Sequence, residues 1–250
     1  MSKKITNIAH RGASSYAPEN TKAAFDLAIE MGVKHIELDV HSSKDNHLVV
    51  IHDDTLDRTT NGQGNVKDFT LKELQSLDAG SWFSEKYSNE NICTLEEIIS
   101  KYAESTHLHI EIKGRTLNLA QKTCTLIRSL EATDMVTITS FWKDSLVETK
   151  NFAPEMKTGW LVPMGPGSKW DNEIVEISKK YEFDQICPRA ELVTKTLVSN
   201  LHREGFEVRC HGVFTEDLMR TVVSSGADGM TINFPDKLNT YLNQKGIEVD

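Results

Sequence analysis

Two segments constrain this 250-residue chain more than any others: His35-Ile36-Glu37-Leu38-Asp39-Val40 and Leu108-His109-Ile110-Glu111-Ile112-Lys113. In each, apolar residues alternate with charged or imidazole side chains, the period of a strand. Glu37 and Asp39 therefore share one strand face, and His109, Glu111 and Lys113 share another. A lone strand of this kind is ordinarily a sheet edge with one face in water. Two such strands, both in mid-chain and both flanked by helical sequence, point instead to the interior of a closed sheet. Further β-rich runs agree. The sequence predicts strands over 5–10, 34–40, 107–113, 135–140, 156–162, 184–188, 206–212 and 228–233, with helices over 20–31, 117–131, 144–151, 171–181, 194–204 and 215–224. Strand and helix alternating in this way is the pattern of an α/β protein, and eight strands suggest a (β/α)8 TIM barrel. A doubly wound open sheet is the alternative, but no Gly-rich dinucleotide fingerprint follows any strand.

The stretch 41–106 is too long for one strand-to-helix connection. His47 to His52 reads as a strand, and Asp45-Asn46 before it suits a two-residue hairpin turn. That register would set His52 opposite Asp39. Residues 53–92, with Asn61-Gly62-Gln63-Gly64, read as a small insertion or lid after the second barrel strand, and Leu95 to Tyr102 resumes as helix. The whole of 1–250 is expected to be one barrel domain.

Composition narrows the partners. With 28 Lys+Arg against 37 Asp+Glu, a net charge of −9 and no basic run, the chain is not expected to bind nucleic acid or a membrane surface. The basic start Lys3-Lys4 is followed by no apolar h-region of a secretory signal. No stretch approaches the roughly 20 apolar residues that cross a bilayer. Cys93, Cys124, Cys187 and Cys210 are widely spread with no CxxC spacing, the usage of reduced thiols in a cytoplasmic protein.

Three carboxylates converging inside a barrel repel one another unless something positive sits between them, because unpaired buried charge costs several kcal/mol. Glu37, Asp39 and Glu111 offer only oxygen ligands, which suits one divalent cation, Mg2+ or Ca2+, rather than zinc. His10 ends the first strand at the rim where barrel active sites gather, and the hairpin brings His52 to the same end. Such a pair can supply a general acid and a general base, while Arg11 and Lys113 can grip a phosphate.

Taken in order, these residues resemble the glycerophosphodiester phosphodiesterase family. The matching segments are His10-Arg11-Gly12, Pro18-Glu19-Asn20-Thr21, Glu37-Leu38-Asp39-Val40, His52-Asp53, Thr94-Leu95-Glu96-Glu97, Glu111-Ile112-Lys113, and the closing Ala227-Asp228-Gly229 with Asn233-Phe234-Pro235-Asp236. The likeness runs from residue 5 to about 240. It implies a TIM barrel with an insertion after the second strand. It also implies hydrolysis of glycerophosphodiesters, such as glycerophosphocholine and glycerophosphoethanolamine, to sn-glycerol 3-phosphate and an alcohol. In this family the positions matching Glu37, Asp39 and Glu111 hold the divalent ion, those matching His10 and His52 act as acid and base, and those matching Arg11 and Lys113 contact phosphate.

The chain departs from the family near the seventh strand. His211-Gly212-Val213-Phe214 stands where Trp-Thr-Val-Asn is common, so His211 is a candidate substrate contact. Phe141, Trp142 and Trp160 are further candidates for the pocket lining, although packing is the commoner role for any one of them. Glu19 and Asn20 are expected beside His10 as supporting residues. Two rival readings are a barrel phosphodiesterase acting on lysophospholipids, with Phe69, Leu71, Leu74, Leu77, Trp82 and Phe83 lining an acyl route, and a non-catalytic phosphodiester-binding barrel.

Overall fold

Strand follows helix along nearly the whole chain, and the strands close on themselves. A computed structural model describes residues 4–165 and 167–250. The strands are β1 (Lys4–His10), β2 (His35–Ser42), β3 (Leu48–Val50), β4 (His107–Ile112), β5 (Val136–Ser140), β6 (Lys157–Leu161), β7 (Gln185–Cys187), β8 (Glu207–Val213), β9 (Gly229–Ile232) and β10 (Glu248–Val249). The helices are α1 (Lys22–Glu30), α2 (Leu71–Gln75), α3 (Leu95–Tyr102), α4 (Leu119–Ser129), α5 (Lys143–Phe152), α6 (Glu173–Lys180), α7 (Lys195–Arg203), α8 (Glu216–Ser225) and α9 (Pro235–Lys245). Neighbouring strands run β1-β2-β4-β5-β6-β7-β8-β9, all parallel, and β9 pairs back onto β1. This is the (β/α)8 barrel that the sequence predicts. A short C-terminal β10 pairs with the start of β1, Lys4 opposite Glu248.

The alternation along β2 sorts its side chains as expected. Ile36, Leu38 and Val40 are buried with the helices in the apolar layer, together with Leu108, Ile110 and Ile112 of β4 and Phe25 and Ala28 of α1. Helix starts are set by hydroxyls. Thr21 accepts from the Ala24 N–H, and Thr94 with Glu97 forms a capping box at α3. Helix α9 was not legible from apolar period, yet its punctuation is in the sequence, with Pro235 in the first turn and Gly246 just past the end.

The hairpin differs from expectation by one residue. Val40 pairs with Val50, His41 with Val49 and Ser42 with Leu48, so Ile51, not His52, donates its N–H to the Asp39 carbonyl at 3.1 Å. The loop holds three residues, Lys44-Asp45-Asn46, with Asn46 at φ +68°, and Ser43 N–H donates to the His47 carbonyl at 2.9 Å. A type I turn followed by a left-handed residue makes a hairpin one residue longer than the two-residue form.

After the hairpin, residues 53–92 leave the barrel and return. They carry α2 and build a second apolar cluster of Val49, Ile51, Leu56, Val66, Leu74, Ala79 and Ile92, with Phe69, Leu71 and Leu77 packed against it. The insertion thus has its own small core beside the rim of the barrel. Cys93, Cys124, Cys187 and Cys210 are all buried and free. Among the described residues no helix is long and apolar enough to cross a membrane.

Candidate active site at the barrel rim

The site begins at the end of β1. Directly after His10, Arg11 takes φ +56° and Gly12 φ +83°, turning the chain back on itself. A Cβ at Gly12 would stand 2.5 Å from the Ala24 backbone carbon, so only glycine lets this turn seat against α1. The turn aims the Arg11 backbone N–H at Glu37 Oε2, 3.0 Å away. Its guanidinium lies between Glu19 Oε1 at 2.8 Å and Asp39 Oδ2 at 3.1 Å. Asn20, itself at φ +60°, donates its amide to Asp39 Oδ2 at 2.9 Å. Positive φ in two non-glycine residues is strain of the kind that gathers at functional sites.

Parallel pairing of β2 with β4 sets Asp39 opposite Glu111. One oxygen from each of Glu37, Asp39 and Glu111 lies within 4.8 Å of the other two, and all three residues are buried. Lys113 Nζ is 2.7 Å from Glu111 Oε1 and 3.5 Å from Asp39 Oδ1. Three acids thus face two cations. Burial and the neighbouring Asp39 charge raise Glu37 well above the ordinary carboxylate range, and the same two causes push Glu111 up to about 7. Burial also opposes the charge on Asp39, but Arg11 and Lys113 outweigh it and hold that carboxyl low. Asp39 Oδ1 is buried and accepts no hydrogen bond. An orphaned Asp39 oxygen beside two carboxyls, Glu37 and Glu111, that hold their protons too tightly is an all-oxygen donor set that fits a hard divalent cation.

The two histidines reach this cluster from separate elements, His10 from the end of β1 and His52 from just beyond β3. His10 Nδ1 lies 2.6 Å from Asn233 Oδ1, just past β9, and its Nε2 lies 3.9 Å from Glu37 Oε2. Burial, reinforced by the Arg11 charge, lowers its pKa to about 3. His52 Nδ1 meets Asp53 Oδ1 at 2.5 Å. A carboxylate can only accept, so Nδ1 carries the proton and Nε2 is left for chemistry. Asp53 is gripped by Arg58, whose Nε is 2.7 Å from Oδ2, and Arg58 also forks onto both oxygens of Glu19 at 2.8 Å. A continuous chain of ion pairs therefore runs from His52 through Asp53, Arg58 and Glu19 to Arg11 and Asp39.

His10, Arg11, Glu37, His52, Glu111 and Lys113 all border one cavity, with Asp39 beneath it. His211 and Phe141 are on its wall, whereas Trp160 is buried against Phe183 and Trp142 lies outside, its indole N–H 3.3 Å from the Lys113 carbonyl. Glu19 and Asn20 sit as expected in supporting positions, although they act on Arg11 and Asp39 rather than on His10. Sequence reasoning missed three parts of the site: Asn233 behind His10, the Asp53–Arg58 pair behind His52, and the buried Arg209. Asn233 and Asp53 lay in segments already singled out. Arg209 had a signal of its own, a charge between Val208 and Cys210 inside the strand expected over 206–212.

Fold and rim together define a barrel of the enzyme kind, with two imidazoles, two cationic side chains and three acids gathered at one rim. A profile of the glycerophosphoryl diester phosphodiesterase family matches residues 10–237, and the chain belongs to that family. A glycerophosphodiester phosphodiesterase of Caldanaerobacter subterraneus subsp. tengcongensis is 37% identical over 247 residues, covering 97% of this chain and 100% of its relative. A phosphodiesterase of Oleispira antarctica, solved with its product sn-glycerol 3-phosphate, is 31% identical with a TM-score of 0.82, covering 95% and 96% of the two chains. A glycerophosphodiester phosphodiesterase of Agrobacterium tumefaciens is 28% identical with a TM-score of 0.79, covering 96% and 100% of the two chains.

Proposed function

We propose that this chain hydrolyses glycerophosphodiesters to sn-glycerol 3-phosphate and an alcohol, using His10 and His52 as the acid–base pair and one divalent cation, Mg2+ or Ca2+. The observation that carries the reading is one cavity bordered by both imidazoles, by Arg11 and Lys113 and by Glu37 and Glu111, with the third acid, Asp39, beneath it. Its support from relatives is the Oleispira enzyme, which holds sn-glycerol 3-phosphate.

Glu37, Asp39 and Glu111 would hold the cation, which when bound supplies positive charge to polarise the phosphate. The remaining work falls to the chain's own side chains. Arg11 and Lys113 flank Asp39 and can neutralise the phosphate oxygens. His10, backed only by an amide oxygen, starts neutral and takes the proton of the attacking oxygen at Nε2. Burial lowers the His52 pKa too, but the Asp53 carboxylate works against it, so of the two imidazoles His52 is the one placed to deliver a proton from Nε2 to the departing alcohol. Glu19 and Arg58 fix the geometry by tying Asp53 to Arg11.

The lysophospholipid reading required an apolar route through the insertion. Phe69, Leu71, Leu74 and Leu77 are instead spent on the insertion's own core, and none of those four, nor Trp82 or Phe83, borders the cavity. The direct test is release of glycerol 3-phosphate from glycerophosphoethanolamine with Mg2+, with Ca2+ and with chelator. Release that needs a divalent ion and is lost in His52→Ala is expected. Equal release in chelator, or none with either ion, would overturn the proposal.

A further inference from the structure

In the eight-strand order, β7 and β8 lie four places round from β2 and β4, so they form the wall of the cavity across from the acids. Strand β8 bulges there. Cys210 pairs with Met230 and Val213 with Ile232, which leaves one extra residue on β8 between those rungs. Bulges re-aim side chains, and this one places Gly212 at φ +72° with its missing side chain toward Arg189, whose Cγ would lie 3.4 Å from a Cβ. Arg189, Arg209, His211 and Phe214 border the cavity on this side.

This wall is cationic. Arg189 is answered by Glu191, at 2.8 and 3.2 Å. Arg209, only 2% exposed, bonds Thr231 Oγ1 through one nitrogen, while its Nε and second terminal nitrogen have no hydrogen-bond partner. The polar groups near it are the Cys187 thiol, a weak acceptor, and the imidazoles of His109 and His211, none of them an acid. A buried guanidinium held by a hydroxyl and a thiol leaves its charge uncompensated on this side of the barrel. The aromatic rings are engaged as well. Lys113 Nζ stands 5.4 Å over Phe141 and the Arg189 guanidinium 6.0 Å over Phe214, so protein cations already occupy ring faces that would otherwise attract an ammonium group. His211 packs edge-on against Phe141, its Nε2 3.3 Å from the Val162 carbonyl, and donating there leaves Nδ1 as an acceptor for a hydroxyl.

We propose that the Arg189–Arg209–His211 wall selects the alcohol half of the substrate, accepting an uncharged or anionic hydroxyl-bearing alcohol and discriminating against a cationic one. The inference rests on the glycerophosphodiesterase reading. With the glycerol phosphate end at the acidic triad, Arg11 and Lys113, the alcohol half extends toward β7 and β8.

The test compares kcat/KM for glycerophosphoglycerol, glycerophosphocholine and the 3,3-dimethylbutyl ester of glycerol phosphate, an uncharged copy of the choline shape. Wild type, Arg209→Met and Arg189→Gln are assayed with the same divalent ion. We expect wild type to favour both uncharged esters over the choline ester by about tenfold or more, the scale of one like-charge encounter in a half-buried site. The preference should fall to within about threefold in Arg209→Met and shrink as ionic strength rises. Arg189→Gln, at a more exposed position, keeps the test open if Arg209→Met does not fold. A choline ester cleaved as fast as its dimethylbutyl copy by wild type, or a ratio unmoved in every folded variant, would overturn the proposal. No glycerol 3-phosphate from any ester is a distinct result, which removes the functional reading and this inference with it.

Discussion

Replacing Glu111 by glutamine should stabilise the metal-free protein at neutral pH. Glu111 is buried, and burial together with the Asp39 charge moves its carboxyl from 4.5 to about 7. Because the folded protein holds this proton more tightly than the unfolded chain, the associated stability is complete below pH 4.5 and is lost as pH rises to about 7. At about 1.4 kcal/mol per tenfold, the loss amounts to about 3 kcal/mol. For a chain of this size that corresponds to roughly 6–12 °C in Tm. Glu111→Gln removes the titrating group while keeping its shape, so in chelator the variant should melt above wild type at pH 7.5 and level with it near pH 4.5. A divalent cation should reverse the order, since binding to the native state at a hundredfold excess over Kd adds about 2.7 kcal/mol to wild type and little to a variant lacking one ligand. The assay is thermal unfolding by circular dichroism from pH 4.5 to 7.5, with chelator and with Mg2+ or Ca2+. Taking the difference between the two proteins cancels the titration of the histidines. A difference that stays flat across that window, or an equal gain from the cation in both proteins, would refute the reasoning.

His10→Ala and His52→Ala should each lower kcat by about 10²–10⁴-fold, the usual range for a general acid or base, with unchanged far-ultraviolet dichroism; near-wild-type turnover in either would take that imidazole out of the mechanism. Asp53→Ala should cost about 10–100-fold in kcat/KM through loss of one charge-assisted hydrogen bond to His52, and a normal rate in steady-state assays would show that the bond orients nothing. Metal-free protein should be acid-labile, because burial holds His10 near 3 and His107 and His211 near 4, against 6.5 unfolded. Their stability is complete above pH 6.5 and is lost as pH falls toward 4, at about 1.4 kcal/mol per pH unit for each proton taken up. Urea unfolding midpoints that do not fall across that interval would contradict it.

Much of the site was legible because strand period is a local property. Alternation along His35–Val40 and Leu108–Lys113 already decided that Glu37 and Asp39 share a face and that Glu111 and Lys113 share another. Once helices flank both strands, the shared face must be the barrel interior, and acids there call for a positive charge. His10 and Arg11 could be assigned to the rim because they end a strand. The same local logic failed at the hairpin, where Asn46 adopts a left-handed conformation and adds a residue to the loop, shifting the register away from His52. His52 reaches the cavity all the same, carried by the chain beyond β3 rather than by pairing with Asp39.

The sequence by itself therefore determined the fold class, the acidic triad and the residues at the strand ends, since each follows from the order and period of side chains along a few consecutive residues. Only the tertiary structure decided which groups stand behind them. Asn233 reaches His10 across 223 residues, and Arg58 links Asp53 to Glu19 from within the insertion. The β8 bulge sets Gly212 against Arg189 at the cavity wall. Those contacts depend on how the barrel closes, on loop conformation and on one extra residue in a ladder, and none of these leaves a period in the chain.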